Sequence, residues 1–323
     1  MERPLKNALL KISYNGRDYH GFAMQPGLLT VEHFLVSALV KSGLLKTQEP
    51  AKTETYSPEV LQRLAEMRYH KCGRTDAGVS AAAQYVSLLL PAPTSGEYPY
   101  DLMLNQHMPK SIRVLGWMFV PEEFSARFSC TSREYEYYFA LTPEMSIEKM
   151  RIESQKLIGK KWFGRLSRPE KESSKKKRLQ KFGGNSPRAE DAVRTVEKIE
   201  FLKISESPGA NVWAMRIRAR SFLHNQVRKI FGLLHAIGNG KNLRVENVLN
   251  REEKQEVEVR LAEAEPLVLA ACTFRGADLS QLKKSPGGRR HSLRKVCEEV
   301  MVSSRVSERV ASEEFTESRT LRE

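Results

Sequence analysis

An arginine, a threonine and an aspartate stand together in "GRTDAGVSAAAQ", residues 73–84, and a glycine follows two residues later. Asp76 in this setting is either an ordinary turn residue or a carboxylate placed for acid–base or nucleophilic chemistry. Arg74, two residues before it, adds a cation suited to a phosphate. Gly78 accepts a positive φ that a side chain would resist. The pattern therefore predicts a tight loop carrying one candidate catalytic carboxylate.

Two later stretches carry aromatic and cationic residues at regular spacing. In "FSARFSCTSREYEYYF", residues 124–139, Tyr135 and Tyr137 alternate with charged residues, which predicts a strand. "FLHNQVRKIFGLLHAIG", residues 222–238, has helical periodicity, with Ser221 as its cap and Gly238 at its end. Arg228 lies beside the apolar stripe of this helix, where a partly buried guanidinium needs a partner.

A third stretch, "NVWAMRIRARS", alternates apolar residues with Arg216, Arg218 and Arg220. The apolar set predicts a strand with one core face. The arginines are either phosphate contacts or a solvated cationic face, and the pattern favours neither.

Composition favours a polyanionic partner. The 323 residues carry a formal charge of +14, and part of the excess lies in a basic stretch at residues 168–187. That stretch is an RNA-touching insert, a localisation signal or a solvated loop. The four cysteines are far apart and form no C-x-x-C pair. They predict no metal site, no disulfide framework and a reducing compartment. No apolar run approaches the ~20 residues that span a bilayer.

The order of predicted elements is mixed, with strands near 8–15, 84–90, 111–120, 124–142, 193–204, 211–221 and 265–275. This order favours an α+β fold, an antiparallel sheet with helices on one side, over a doubly wound parallel sheet. We expect an N-terminal lobe over residues 1–110, a C-terminal lobe over 111–282 and a charged terminal helix or tail over 283–323.

Four stretches in order resemble the motifs of the TruA-type tRNA pseudouridine synthases. They are "GRTDAGVSAAAQ", "FSARFSCTSREYEYYF", "RSFLHNQVRKIFGLLHAIGNGK" and "EPLVLAACTF". The second and fourth are most similar to the eukaryotic branch that acts on positions 38 and 39 of the tRNA anticodon stem-loop. Ala77 stands where that branch usually carries lysine.

The resemblance implies roles for five residues. Asp76 is the catalytic carboxylate, Arg228 the cation that keeps it ionised and Tyr135 the aromatic surface against the target base. Arg74 contacts the RNA backbone or helps to flip the nucleotide, and Leu267 lines the uracil pocket.

The resemblance also implies a fold and partners. Two α/β lobes have antiparallel sheets that meet at a central cleft, with helices on the outer faces. The substrate is tRNA, and neither a cofactor nor a metal is needed. A homodimer and an intracellular location, in the nucleus, the cytoplasm or both, are further expectations.

Two other functions stay open from sequence alone. The first is a non-catalytic tRNA-binding or folding protein on the same scaffold. The second is a family member with different target uridines.

Overall fold

The computed structural model describes residues 4–47, 57–93, 96–168, 192–207, 210–253 and 257–285. The chain divides into two compact units. The first comprises Met1–Arg133 together with Ala264–Glu323, and the second is Glu134–Glu263. The basic stretch at 168–187, apart from Arg168, and the predicted terminal helix lie outside the described residues.

The described residues form nine strands and six α-helices, which we number in chain order. The strands are β1 Leu5–Tyr14, β2 His70–Lys71, β3 Ser80–Pro91, β4 Ile112–Phe119, β5 Cys130–Ala140, β6 Gly159–Trp162, β7 Val193–Ser207, β8 Ala210–Ala219 and β9 Leu267–Phe274. The helices are α1 Val31–Lys41, α2 Pro58–Glu66, α3 Tyr100–Asn105, α4 Ile147–Gln155, α5 Gln226–Gly238 and α6 Val245–Leu249.

The first unit is built on a mixed sheet in the order β4-β1-β3-β9, with β2 also paired to β3. β1 runs antiparallel to both β3 and β4. β9 runs parallel to β3 through a short pairing. This mixed sheet with helices confirms the predicted α+β class. The parallel pairing of β3 with β9 departs from the antiparallel sheet that was expected.

This pairing explains why the units differ from the lobes expected at residues 110 and 282. β4 lies beyond residue 110, yet it completes the first unit's sheet through β1. β9 follows the whole second unit in the sequence and returns to pair with β3, and Lys283 then bridges to Trp117 of β4. Long-range strand pairing therefore assigns both segments to the first unit.

The sheet of the first unit is buried along most of its length. Every residue of β3 from Ser80 to Leu88 is buried, as a strand covered on both faces requires. Helix α1 packs its apolar residues into this core, with Val31, Leu35, Ala38 and Leu39 all fully buried. Thr30 directly precedes the apolar period that begins at Val31, which predicts an N-cap. The structure confirms it, since Thr30 Oγ1 accepts the His33 N–H at 3.3 Å.

The second unit contains an antiparallel arrangement of β6, β7 and β8. β5 begins in the first unit and continues in the second. Helices α4 and α5 come close enough that a Cβ at Gly238 would lie 2.8 Å from Met150 Cγ. The predicted core face of β8 is confirmed for Met215, Ile217 and Ala219, which are fully buried, whereas Trp213, at the start of the same alternation, is half buried.

Two helix predictions in the second unit are wrong in extent. Helix α5 begins at Gln226 rather than after Ser221, because the Gln226 side chain accepts the Leu223 N–H at 2.7 Å and holds an irregular turn. The stretch "RVENVLNREEKQEVE", residues 244–258, predicts a mostly helical segment, but the helix is confined to α6. After α6 the chain bends around Arg165, whose guanidinium donates to the carbonyl of Glu253 at 2.6 Å.

Two helices were missed despite local signals. Ser57 caps α2 and Pro58 is its first residue, which is a common helix start. Ser146 caps α4 in the same way. Within the described residues, no helix has the length and apolar character needed to cross a bilayer.

Candidate active site

The candidate catalytic loop, residues 73–79, connects β2 to β3 in the first unit. Burial alternates along it: Arg74 is exposed, Thr75 is buried and Asp76 is half buried. The loop therefore turns its threonine inward, while Arg74 and part of Asp76 remain at the surface.

Thr75 anchors the loop to β1. Its Oγ1 lies 2.8 Å from the hydroxyl of Tyr14, and both groups are buried. Burial raises the pKa of Tyr14 well above its usual range, so the phenol stays protonated. This hydrogen bond fixes the residue directly before Asp76.

Gln84 anchors the start of the loop from β3. Its Nε2 donates to the carbonyl of Gly73 at 3.1 Å, while its Oε1 accepts the Tyr85 N–H at 3.0 Å. Gln84 has no exposed surface. Both amide ends are thus used within the protein, which supports a structural role.

The segment around residues 19–22 braces the loop from a second side. Phe22 N–H donates to the carbonyl of Thr75 at 3.2 Å, and Gly78 N–H donates to that of Tyr19 at 3.1 Å. Gly21, at φ +87°, approaches so closely that a Cβ there would lie 2.7 Å from Thr75 O. Glycine is therefore required at position 21 for both conformation and space.

Gly78 closes the loop with φ +79°, which confirms its predicted conformation. Val79 N–H then donates to the carbonyl of Asp76 at 3.2 Å. The backbone on both sides of Asp76 is thus held by hydrogen bonds, and the direction of its side chain is set by a constrained turn.

Leu267 is also in the first unit, as the first residue of β9. It is 4% exposed, and its N–H donates to the carbonyl of Ala264 at 3.0 Å. Ala264 in turn lies close to the loop, since a Cβ added at Gly78 would be 3.1 Å from the Ala264 Cβ.

Arg228 lies in the first turn of α5, in the second unit. Its Nε donates to the carbonyl of Ala262 at 2.7 Å. One helical turn on, a Cβ at Gly232 would lie 2.2 Å from Arg260 O. Residues 260–262 therefore run tightly along α5 and fix the guanidinium through Nε, which leaves the two Nη groups as the donors for a carboxylate.

Tyr135 lies on β5 in the second unit and is 8% exposed, with its ring edge-on to Phe222 at 5.4 Å. Tyr137, two residues on, stacks on Phe231 at 3.8 Å and donates its hydroxyl to Glu263 O at 3.1 Å. The alternation predicts Tyr137 to be a core residue, and its 4% exposure confirms this. The predicted alternation holds for this face of the strand.

The arginines of β8 have carboxylate neighbours. Arg216 pairs with Glu136 at 2.7 Å and lies 3.5 Å from Glu134. Arg218 pairs with Glu197 at 3.2 Å. The face expected to be cationic thus carries charges of both signs, which sequence periodicity on one strand does not reveal. Arg220 follows the strand and is exposed.

Metal-ligating groups come together at a different place. Among the described residues, one set of histidine, cysteine and acidic side chains has ligand atoms close enough to hold an ion, namely Cys72, Cys130 and Cys272. Asp76 does not belong to it. These cysteines are widely separated along the chain, so their spacing predicted no metal site.

Comparison with known proteins finds similarity to the same class of enzyme as the motifs. Residues 154–275 match the family model described as tRNA pseudouridine synthase. The human tRNA pseudouridine(38/39) synthase is 29% identical over 298 residues, covering 83% of this chain and 56% of the human protein. The mouse protein of the same name is 30% identical with the same coverage.

An archaeal relative has a length closer to that of this chain. The tRNA pseudouridine synthase A of Pyrococcus horikoshii is 27% identical over 271 residues, covering 83% of this chain and 85% of the archaeal protein. By contrast, the chain spans a little over half the length of the mammalian relatives. These matches agree with the resemblance that the motifs predicted: the chain is similar to tRNA pseudouridine synthases.

Proposed function

We propose that this protein is a tRNA pseudouridine synthase that isomerises uridine in the anticodon stem-loop, at positions 38 and 39, with Asp76 as its catalytic carboxylate. The observation that carries the proposal is the braced loop. Asp76 sits in a turn whose neighbours are fixed by Tyr14, Gln84 and the Phe22 backbone. Its sequence resembles the family's catalytic motif.

The reaction exchanges one bond for another. The bond between uracil N1 and ribose C1′ breaks, the uracil turns, and C5 bonds to C1′. The C5 proton is lost and N1 gains a proton, so nothing is oxidised or added. Asp76 either attacks C1′ as a nucleophile or removes the 2′ proton to give a glycal-like intermediate. Both routes require an ionised carboxylate held in a fixed direction.

Arg228 is proposed as the cation that keeps the carboxylate ionised. Its support is the Nε hydrogen bond to Ala262 O, which orients the guanidinium, and its place in the third motif. Arg228→Ala should lower kcat by orders of magnitude while costing about 1 kcal/mol of stability for one lost hydrogen bond. Equal activity, or loss of activity through unfolding alone, would contradict this role. Arg63→Ala, at an exposed ion pair with Glu66 and outside the proposed RNA-binding set, is the matched control.

Tyr135 is proposed as the surface on which the uracil turns, and Leu267 as the apolar residue on the other side of the base. Stacking tolerates rotation of a flipped base, which hydrogen bonding would oppose. We further propose that these side chains meet Asp76 in a cleft between two lobes, as the resemblance implies. That arrangement, with a homodimer around one tRNA, is part of the proposal.

Arg74 is the favoured contact to the RNA backbone because it is exposed two residues before Asp76. Arg216 and Arg218 would have to exchange their glutamate partners for phosphates, so we expect each to contribute less to RNA binding than Arg74 does. Arg220, exposed beyond β8, is the third member of this set. The net charge of +14 favours tRNA binding that weakens as salt rises.

The test uses the purified chain and a tRNA carrying tritium at uridine C5. We expect tritium release from tRNA with uridine at 38 or 39, and none when cytidine replaces both. Release that survives this replacement would move the target to other uridines. Binding without release from any tRNA would favour the non-catalytic alternative.

A further inference from the structure

Three cysteines from distant segments converge inside the first unit. Cys72 follows β2, Cys130 begins β5 and Cys272 lies on β9. Their sulfur atoms all lie within 4.8 Å of one another, and Cys72 Sγ is 3.6 Å from Cys272 Sγ. Strand pairing brings Cys72 and Cys272 together, because β2 and β9 both pair with β3.

The sulfur spacing matches a metal–thiolate site better than a disulfide. With metal–sulfur bonds of about 2.3 Å, neighbouring sulfurs lie about 3.8 Å apart in tetrahedral geometry and about 4.0 Å apart in a trigonal plane. A disulfide requires about 2.0 Å. The observed 3.6 Å and the upper bound of 4.8 Å bracket the metal values.

The surroundings of the cluster favour a bound cation over simple packing. The three residues are 2–3% exposed, and each sulfur faces the other two rather than only apolar neighbours. Their remaining polar contacts are weak, such as Cys272 Sγ to Ala83 O at 3.6 Å. Arg133 donates from Nη2 to the carbonyl of Cys72. Its positive charge would offset the single excess negative charge of three thiolates around a divalent ion.

We propose that Cys72, Cys130 and Cys272 form a three-thiolate site for one thiophilic d¹⁰ cation, Zn²⁺ or Cu⁺. Thiolates select these ions over harder cations. Binding converts three thiols to thiolates and releases three protons, with no change of oxidation state. Cu⁺ is satisfied by three sulfurs. Zn²⁺ takes a fourth ligand, and the carbonyl of Ala83 or a water would supply it.

The site would tie the strands behind the candidate catalytic loop. Cys72 lies four residues before Asp76, and its N–H donates to Tyr85 O on β3 at 2.8 Å. A bound ion would therefore fix the start of the loop to β5 and β9. The proposal concerns metal binding and stability, so it does not depend on the reaction proposed above.

The test is the metal content of the full chain, purified under reducing conditions without chelator. We expect about one Zn²⁺ or Cu⁺ per chain, measured by plasma mass spectrometry against protein concentration. The identity of the ion found decides between Zn²⁺ and Cu⁺. Cys72→Ser, Cys130→Ser and Cys272→Ser should each lose it. Cys297→Ser, which changes the fourth cysteine of the sequence, should keep it.

A second measurement covers variants that fail to fold. Co²⁺ added to the metal-free wild-type chain should give an intense thiolate-to-cobalt absorption in the near ultraviolet, and one equivalent should saturate it. No metal and no such absorption, with all thiols titratable, would leave the cysteines as packing residues only and overturn the proposal. A Cys72–Cys272 disulfide in the intact mass would also overturn it, as would loss of metal in Cys297→Ser.

Discussion

The brace at Gly21 gives a sharp test of whether the loop around Asp76 must be held in place. In Gly21→Ala the new Cβ would lie 2.7 Å from Thr75 O, 3.2 Å from Asp76 C and 3.3 Å from Ala77 N. Ordinary contact begins at 3.4 Å, so the loop backbone must retreat by about 0.7 Å from this atom. The Phe22 N–H bond to Thr75 O, at 3.2 Å, lies in the path of that shift.

The size of the effect follows from two separate contributions. Alanine at φ +87° costs about 1–2 kcal/mol in stability from backbone conformation alone. Misplacing a catalytic group by about 1 Å costs about 100-fold in rate. A shift of about 0.7 Å beside Asp76 should therefore lower kcat/KM by about 10- to 100-fold.

Gly27→Ala is the matched control, because Gly27 has φ +70° and nothing lies within 4 Å of a Cβ there. It carries the same backbone cost without the clash. Both variants should lose about 1–2 kcal/mol in urea unfolding, while only Gly21→Ala should release tritium from C5-labelled tRNA about 10- to 100-fold more slowly. Activity in Gly21→Ala equal to that in Gly27→Ala would refute the claim that the brace positions Asp76.

Three further changes test the packing that supports the loop and the second unit. Tyr14→Phe leaves the buried Thr75 Oγ1 without its 2.8 Å partner and should cost about 1–3 kcal/mol in urea unfolding. The double variant Tyr14→Phe with Thr75→Val should cost less than the sum of the two single variants, and additive costs would contradict a direct hydrogen bond. Glu32→Gln breaks the pair between the buried Glu32 carboxylate and Lys71 Nζ, at 2.5 and 2.6 Å, and should cost about 2–3 kcal/mol, below the about 3–5 kcal/mol of a fully buried pair because Lys71 is 25% exposed; an unchanged unfolding midpoint would rule out a stabilising pair. Burial, and then the charge of Arg260, lower the pKa of His235. The unfolded chain therefore binds more protons than the folded chain, and the free energy of unfolding falls as pH drops below about 6.5. His235→Gln should reduce that fall in urea titrations at several pH values, and a pH dependence identical to that of the wild type would contradict this expectation.

The elements predicted well are those with a local physical signal. Thr30 caps α1 as a hydroxyl before an apolar period should, and Gly78 takes the positive φ that its place in the loop indicates. Strand alternation also identifies the buried Tyr135 and Tyr137 on β5 and the buried Met215, Ile217 and Ala219 on β8. In each case the deciding interaction lies within a few residues along the chain.

The elements predicted badly depend on side chains far along the chain or on competing local bonds. Ser221 is a good N-cap residue, but the Gln226 side chain binds Leu223 N–H and delays the helix. Arg165 binds carbonyls some 85 residues later and bends the chain after α6. Neither effect has a periodic signature in sequence.

The candidate site divides in the same way. Asp76 and Arg228 were found through motif resemblance, and Gly78 through its chemistry. The brace by Tyr14 and Gly21 depends on β1 lying beside β3, and the cysteine cluster depends on β2 and β9 both pairing with β3. These contacts follow from strand order, which residue spacing does not encode.

Asp76→Asn tests the central claim most directly, because it keeps the shape of the side chain and removes its charge. We expect the variant to bind tRNA as the wild type does and to release no tritium from C5-labelled tRNA. Asp278→Asn, at an exposed aspartate that binds Ser280, should release it normally. Tritium release by Asp76→Asn at the wild-type rate would contradict the assignment of Asp76 as the catalytic carboxylate.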